Sequence, residues 1–478
     1  MKSLAKYEEP FRKVKEIYIL CYVGYVLIAR IVPLVNIISL GVNSVIYSAL
    51  AIAGALIFAF DFLMHFTMFK SRENIILLIF CVVCVISSII NMDYGITSNV
   101  KTLVWMAIQF FVLFSIVNVR DSSEIDSTMT KIMKFTAAVW FIGVLVSVFE
   151  FLLQIGYVAP FDDFPRRQGF VEARLFGVFT DPNFAAVTSL MVILFCWMLL
   201  KTENKKPIRV YYYVNIVLQL IYIVLSGSRT AKYGGLMLAF IVGLLCVRNR
   251  ELGRDQIKLV LRSLLGGVVA VALSLAVIFV VKQTLPKMAE LCNMISSSIQ
   301  SEEDYDKMKK LRAAKLKEAE EISIERPDVT DENISNNRFK IWTNYIEASS
   351  DHRAFGLSPR NLMSFLKAND PDNYLVKRGY DETHNGWLAI FVCTGITGTL
   401  VMTAFFINYA YECCLYIKAK KKQAYDTKVI VLLGSVFVIA FSALLQPEIF
   451  FINTYGAITF WLFMGYLLYF MKQKTAKA

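Results

Sequence analysis

Stretches of about eighteen or more residues with almost no charge recur along the whole chain, and as helices each would cross a hydrocarbon layer of roughly 30 Å. Hydrocarbon offers the backbone no hydrogen-bond partner, so repeated spans of this kind fold as helices packed on helices. The charge content agrees. Only 18% of residues are charged and 56% are hydrophobic, with a mean hydropathy of +0.53, against roughly 25% charge in an ordinary soluble domain. The expected class is an all-α, polytopic integral membrane protein.

About twelve transmembrane helices are expected, near 17–39, 42–63, 74–91, 100–119, 131–155, 183–200, 209–226, 230–247, 259–281, 385–412, 428–446 and 450–470. The polar start of the chain and the long apolar run from Ile17 give no reason to expect a cleavable leader. An even count puts both termini on one side. Lys2, Lys6, Arg12, Lys13 and Lys15 precede the first span; Lys70 and Arg72, Arg120, Lys201 to Arg209, Arg248 to Lys258 and Lys418 to Lys422 fill alternate loops; Lys472 and Lys474 follow the last. The positive-inside rule makes that side cytoplasmic, so both termini are expected in the cytoplasm. The net charge of +12 is therefore a topology signal and no sign of nucleic acid as a partner.

Three regions follow: residues 1–281 as helices one to nine, 282–383 as an extracytoplasmic helical cap, and 384–478 as helices ten to twelve. The cap segment is nearly neutral, and a hundred residues are too many for a structureless connection. Its alternating charges from Ser301 to Glu325 read as a solvated helix that Arg326-Pro327 ends. A second helix is expected from about Ser335, with Arg338 and Trp342 four apart on one face, and a shorter one from Asn361 to Lys367. Nine cysteines, mostly within apolar runs, predict no disulfide framework, and no cluster has metal-ligand spacing.

Some cations stand on the outer side, against the topology rule: Arg166, Arg167 and Arg174 between helices five and six, Arg229 and Lys232 after Ser226-Gly227-Ser228, and Lys101. They serve either an anionic ligand or outer lipid headgroups. Lys377 and Arg378 lead from the cap into Asp381-Glu382-Thr383-His384-Asn385-Gly386, where a membrane helix meets water. An imidazole there can exchange a proton near neutral pH, so His384 is the first catalytic candidate. His65, four residues after Asp61, and His352, beside Arg353, read as structural and surface histidines.

The motifs fall in a telling order. Arg174 precedes Phe179-Thr180-Asp181-Pro182-Asn183; then come Ser226-Gly227-Ser228-Arg229-Thr230, Arg338 with Trp342, His384-Asn385 with Leu388, and Gly395 with Gly398. In this order the chain resembles the O-antigen ligase and polymerase superfamily of membrane glycosyltransferases over about residues 174–400. The resemblance implies cofactor-free and metal-independent transfer of a glycan from an undecaprenyl diphosphate carrier to an acceptor hydroxyl, with inversion. It implies His384 as the base, and Arg229, Arg338 and Arg174 as ligands of the donor diphosphate, with Arg166 and Arg167 as further candidates. Asn385, Trp342, Glu150, Lys232, Lys377 and Arg378 are candidates for supporting roles. Gly356-Leu357-Ser358 departs from the family, which often has a second glycine in place of the serine.

The chemistry is consistent with these residue types. A positioned base contributes about 10² to 10⁴-fold, and guanidinium groups hold a departing diphosphate in bidentate fashion. The expected function is polymerisation of lipid-linked repeat units of a surface polysaccharide. The alternatives are a ligase, which moves the finished glycan to a lipid, wall or protein acceptor, and a transporter or flippase for a lipid-linked sugar. The expected partners are the undecaprenyl-diphosphate-linked donor, a glycan or lipid acceptor, and the bilayer.

Overall fold

A computed structural model describes residues 5–38, 40–66, 70–115, 121–159, 166–250, 256–299, 337–420 and 426–476. The helix expected over 301–325, the Arg326-Pro327 break, the start near Ser335, the side chain of Arg166 and the loop residues Lys2, Arg120 and Arg254 lie outside the described residues. The fold is a bundle of long helices. The first half supplies α1 (Glu8–Ile28), α2 (Val32–Ile37), α3 (Leu40–Met64), α4 (Arg72–Ile90), α5 (Thr97–Ile108) and α6 (Ser122–Leu152). After these come α7 (Pro182–Thr202), α8 (Lys206–Leu225), α9 (Arg229–Arg250) and α10 (Gln256–Ile299). The outer segment holds α11 (Arg338–Ala348), α12 (Leu362–Asn369) and α13 (Tyr374–Arg378). The bundle closes with α14 (Gly386–Lys420), α15 (Thr427–Ser442) and α16 (Tyr455–Ala476).

Each of the twelve expected spans coincides with a helix, and among the described residues nine helices are long and apolar enough to cross a membrane. Side-chain caps set several starts: Ser71 Oγ accepts the Asn74 amide at 3.2 Å, and Asp121 Oδ1 accepts those of Ser123 and Glu124 at 2.8 and 3.3 Å. The boundaries differ from expectation where a helix outruns its apolar run. α10 continues past Lys282 to Ile299, because hydropathy marks where a span leaves the membrane and not where a helix ends. The first span breaks earlier, at Ile28, and resumes as the short α2 with Pro33 in its first turn.

A small antiparallel sheet, read from sequence as a loop, follows α6. Its strands β1 (Gly156–Ala159), β2 (Arg166–Val171) and β3 (Arg174–Gly177) pair in the order β1-β2-β3. Glu172 and Ala173, at φ 52° and 55°, make the two-residue turn that matches strand twist. Gly156 faces Gly169 across β1 and β2, where a Cβ on either would collide with the opposite backbone.

The packing core runs through α16. Trp461 is fully buried, with Phe110, Phe114, Phe405 and Phe450 ringed around it at centroid distances of 4.5 to 6.0 Å. At the end of the bundle carrying the basic loops, ion pairs tie helices together: Lys15 to Asp61 at 2.6 Å, Lys428 to Asp126 at 2.6 Å and Lys472 to Glu73 at 2.8 Å. The Asp61 carboxylate thus turns to Lys15, and His65 meets that residue through its backbone amide at 2.8 Å.

α14 is broken at Gly395, whose φ and ψ of 65° and −163° are closed to other residues. The chain at 353–358 fills the break. Leu357 and Ser358 donate to the carbonyls of Val392 and Cys393 at 2.9 and 3.0 Å, and Ile396 donates to that of Arg353 at 2.7 Å. Asn91 Nδ2 binds the Gly356 carbonyl at 3.0 Å, and Ser87 Oγ that of Cys393 at 2.9 Å. Every exchange satisfies a backbone group that the break would otherwise strand in an apolar bundle. These bonds anchor the outer segment to the helix that begins two residues after His384.

Candidate functional site

The site is assembled from turns at the other end of the bundle. Asp181 precedes α7, and its Oδ1 accepts the amides of Asn183 and Phe184 at 2.7 and 3.0 Å, so its charge sits on the helix N-terminus. Pro182 occupies the first helical position, where the missing amide costs nothing. Arg174, at the start of β3, donates from Nε to the Ser226 carbonyl at 3.0 Å and from a terminal nitrogen to Asn183 Oδ1 at 2.9 Å. One guanidinium therefore joins the sheet, the start of α7 and the turn between α8 and α9. That turn uses Gly227 at φ 61°, and Ser228 Oγ caps α9 by accepting the Ala231 amide at 3.3 Å. Arg229 is the first residue of α9, three residues after Ser226.

His384 occupies a tight approach to α14 with a positive φ of 49°. The next residue, Asn385, caps that helix, its Oδ1 accepting the amides of Trp387 and Leu388 at 3.0 Å each. Gly386 donates to the Ala443 and Gln446 carbonyls at 2.7 and 3.1 Å, and a Cβ there would collide with the Glu448 carbonyl. Burial holds the His384 imidazole below the ordinary histidine range, and the Arg338 guanidinium lowers it further; Asp381 and Asp181 pull the other way. His384, Arg338 from α11 and Asp181 from the start of α7 are thus brought into one electrostatic neighbourhood. Asp181 links it to Arg174 through Asn183.

The supporting candidates divide. The Tyr222 hydroxyl lies within electrostatic reach of Asp181, Arg174 and Glu150, and the Glu150 Oε2 is buried with no hydrogen-bond partner. Trp342 is half-buried beside Phe339 at 5.4 Å. Lys232 lies in the first turn of α9, over the Tyr233 ring at 5.5 Å. Arg167 pairs with Glu172 at 3.0 Å and Lys377 with Asp372 at 3.0 Å, both at the surface. Arg378 is exposed at the end of α13.

Two residues enter that the sequence reading did not single out as site candidates. Arg30 stands at the turn after α1, where Val32 and Thr180 exchange backbone bonds with Val178 and Arg30 at 2.8 and 3.0 Å. Its guanidinium lies 5.0 Å from the Phe184 ring, within electrostatic reach of Glu448 and Glu382. The span assumed over 17–39 hid it, although an arginine three residues before Pro33 was a signal that the first helix had already ended. Arg360, in the outer segment, donates to Thr102 Oγ1 at 3.2 Å and to the Phe451 carbonyl at 3.0 Å.

Glu448 shares a buried hollow with Arg30 and Asp181. Its Oε2 has no hydrogen-bond partner, and Ser442 is near without reaching hydrogen-bond geometry. Burial raises the carboxyl to about 7.

Residues 214–403 match the family model described as O-antigen ligase. The match supports the resemblance to the O-antigen ligase and polymerase superfamily over this part of the chain. The match runs from α8 into α14 and takes in Arg229, Arg338, His384 and both Gly395 and Gly398, while Arg174 and Asp181 precede it. None of the curated proteins compared with the chain matches it. The matched family is one of O-antigen ligases, and the nine long apolar helices among the described residues are those expected of a multi-pass membrane protein.

Proposed function

We propose that the protein transfers a glycan from an undecaprenyl diphosphate carrier to a saccharide hydroxyl at the outer face of the bacterial inner membrane, and that it does so as a polymerase of repeat units. The observation that carries this reading is His384: a half-buried imidazole with lowered proton affinity, within electrostatic reach of Arg338 and Asp181. A neutral imidazole is the form that takes a proton from an attacking hydroxyl. Attack on the anomeric carbon from the face opposite the diphosphate inverts it, and no metal or other cofactor is called on.

Arg229, Arg338 and Arg174 hold the departing diphosphate. The Arg174 bond to the Ser226 carbonyl, in the turn that precedes Arg229, supports that role. Rigid cations of this kind stabilise charge as it forms, without reorganisation during the step. The loop before α14 is placed on the outer side, and both termini in the cytoplasm. The basic loops and their ion pairs at the opposite end of the bundle support that orientation.

The deciding assay uses protein in liposomes supplied with the lipid-linked repeat unit. Wild type forms a ladder of products, whereas folded His384→Ala forms none. Wild-type turnover by that variant would overturn the base assignment. Deletion of the gene separates the two acceptor readings. Collapse of the surface ladder to single repeat units supports a polymerase, and free lipid-linked polymer with a bare acceptor supports a ligase.

A further inference from the structure

A cavity of about 360 Å³ opens at the end of the bundle that carries the basic loops, and neither His384 nor any arginine assigned to the diphosphate lines it. Small-molecule sites span roughly 300–1,000 Å³, so the volume admits a ligand. Glu9, Arg12, Lys13 and Glu16 recur three and four residues apart and so share one face of α1. The first turns of α6 supply Ser123, Glu124, Ser127 and Thr128. Ile19, Ile125 and Tyr466 join Val112 and Leu113 as a buried apolar floor. Val112 and Leu113 belong to Gln109–Phe114, a π-helical extension of α5, and such irregularities recur at functional sites.

The charged groups of the cavity divide into two kinds. Lys15 holds Asp61 at 2.6 Å, and Glu16 accepts from Lys131 at 2.7 Å and from Thr128 at 3.1 Å. At the mouth the pairs are looser: Arg12 stands 3.8 Å from Glu124 and Lys13 stands 3.9 Å from Glu9, both beyond hydrogen-bond distance. Loose ion pairs near the surface contribute little, so exchanging them for the charges of a ligand costs little. An anion on Arg12 and Lys13 would face the two carboxylates, and a cation on the carboxylates would face Arg12 and Lys13. A ligand with one charge of each sign meets both pairs favourably.

Depth narrows the class further. The apolar run of α1 begins at Ile17, so the mouth lies at the level of lipid headgroups and the floor just below it. A soluble zwitterion would leave that floor wet, whereas a phospholipid covers it with its glycerol and the top of an acyl chain. We propose that this cavity binds a zwitterionic phospholipid of the leaflet on the basic-loop side, with its phosphate on Arg12 and Lys13 and its primary ammonium on Glu9 and Glu124. A primary ammonium donates hydrogen bonds to carboxylates, and a trimethylated nitrogen has none to donate. The inference is independent of the transfer reading, because the two sites share no residue.

The test uses full-length protein, stripped of lipid in detergent and titrated with phosphatidylethanolamine, phosphatidylglycerol or phosphatidylcholine of the same acyl chains. Native mass spectrometry measures binding of the first lipid. Phosphatidylethanolamine should bind about tenfold more tightly than the other two, which is the worth of about one charge-assisted hydrogen bond. Arg12→Gln and Glu124→Gln should each abolish that preference. Lys418→Gln, the same charge change on an exposed residue late in α14, should keep it. Equal binding of the three lipids, or tightest binding of phosphatidylglycerol, overturns the proposal, and the wild type alone decides this. A preference that survives in both cavity variants, or is lost in Lys418→Gln as well, also overturns it. Displacement of the lipid by an equal concentration of free phosphoethanolamine would overturn the lipid assignment in favour of a soluble zwitterion.

Discussion

The Ile396 amide donates to the Arg353 carbonyl at 2.7 Å, across the break that Gly395 makes in α14. Through this bond the outer segment is tied to the backbone of the helix that His384 and Asn385 introduce. A Cβ at Gly395 would collide with the Arg353 carbonyl and would also require a φ of 65°. Gly395→Ala is therefore expected to cost about 2–5 kcal/mol, by strain and overlap together. Gly379→Ala has a similar φ of 67° but nothing within 4 Å of the added carbon, and should cost only about 1–2 kcal/mol. Thermal unfolding of the two variants in detergent makes the comparison.

The pH profile tests the neighbourhood of His384. A base works in its neutral form, so kcat/KM falls as pH drops through its pKa, and a lowered pKa keeps the acid limb below the ordinary value of 6.5. Replacing Arg338 with Gln removes one of the two causes of that lowering. The acid limb should move to higher pH, whatever happens to the maximal rate. Glu448 titrates nearby, but Arg338 is not among the causes of its shift, so a limb that moves with Arg338→Gln belongs to His384. An unmoved limb would place the two groups apart.

Much of this architecture was legible because it follows from one-dimensional rules. The spans appear as apolar length, and the helix bearing Arg338 and Trp342 appears as four-residue spacing that α11 reproduces. The order of Arg174, Arg229, Arg338 and His384 was readable as motif. The tertiary bonds around Arg174 were not. The Arg174 bonds to Ser226 and Asn183 join residues 52 and 9 positions away. The three-stranded sheet was missed because its strands are only four to six residues long and lie between two spans. Arg30 was hidden inside the span assumed over 17–39, Arg360 breaks no composition rule, and the relation of both to the site is tertiary.

The Lys15 and Asp61 pair predicts an asymmetric mutational pattern. Both side chains are buried, so Asp61→Asn leaves an ammonium without its counter-charge and should cost about 3–5 kcal/mol. Removing both charges, with Lys15→Met and Asp61→Leu together, should recover most of that loss, because each desolvation cost disappears with its charge. A double-mutant cycle of unfolding free energies checks this. Equal destabilisation by the single and double variants would mean that packing dominates.

Arg229→Lys keeps the charge at the start of α9 but loses the planar fork that meets two phosphate oxygens at once. If Arg229 holds the departing diphosphate, kcat/KM should fall at least tenfold in the liposome assay. Wild-type activity would leave Arg229 as a headgroup contact.

Glu448 carries a stability signature of its own. Its carboxyl is raised from an ordinary 4.5 to about 7, so the folded state binds its proton more tightly than the unfolded chain does. The sign follows: the stability linked to that proton is fully present below pH 4.5 and is lost as pH rises through 7. A shift of this size corresponds to about 3 kcal/mol. Wild type should therefore lose thermal stability between pH 5 and pH 8, beyond the drift from other groups. Glu448→Gln, which stays neutral in the same space over Gly456, should flatten that part of the profile and unfold at a higher temperature than wild type at pH 8. Parallel profiles for the two proteins would show that Glu448 is ionised in the fold at neutral pH, with Arg30 compensating it.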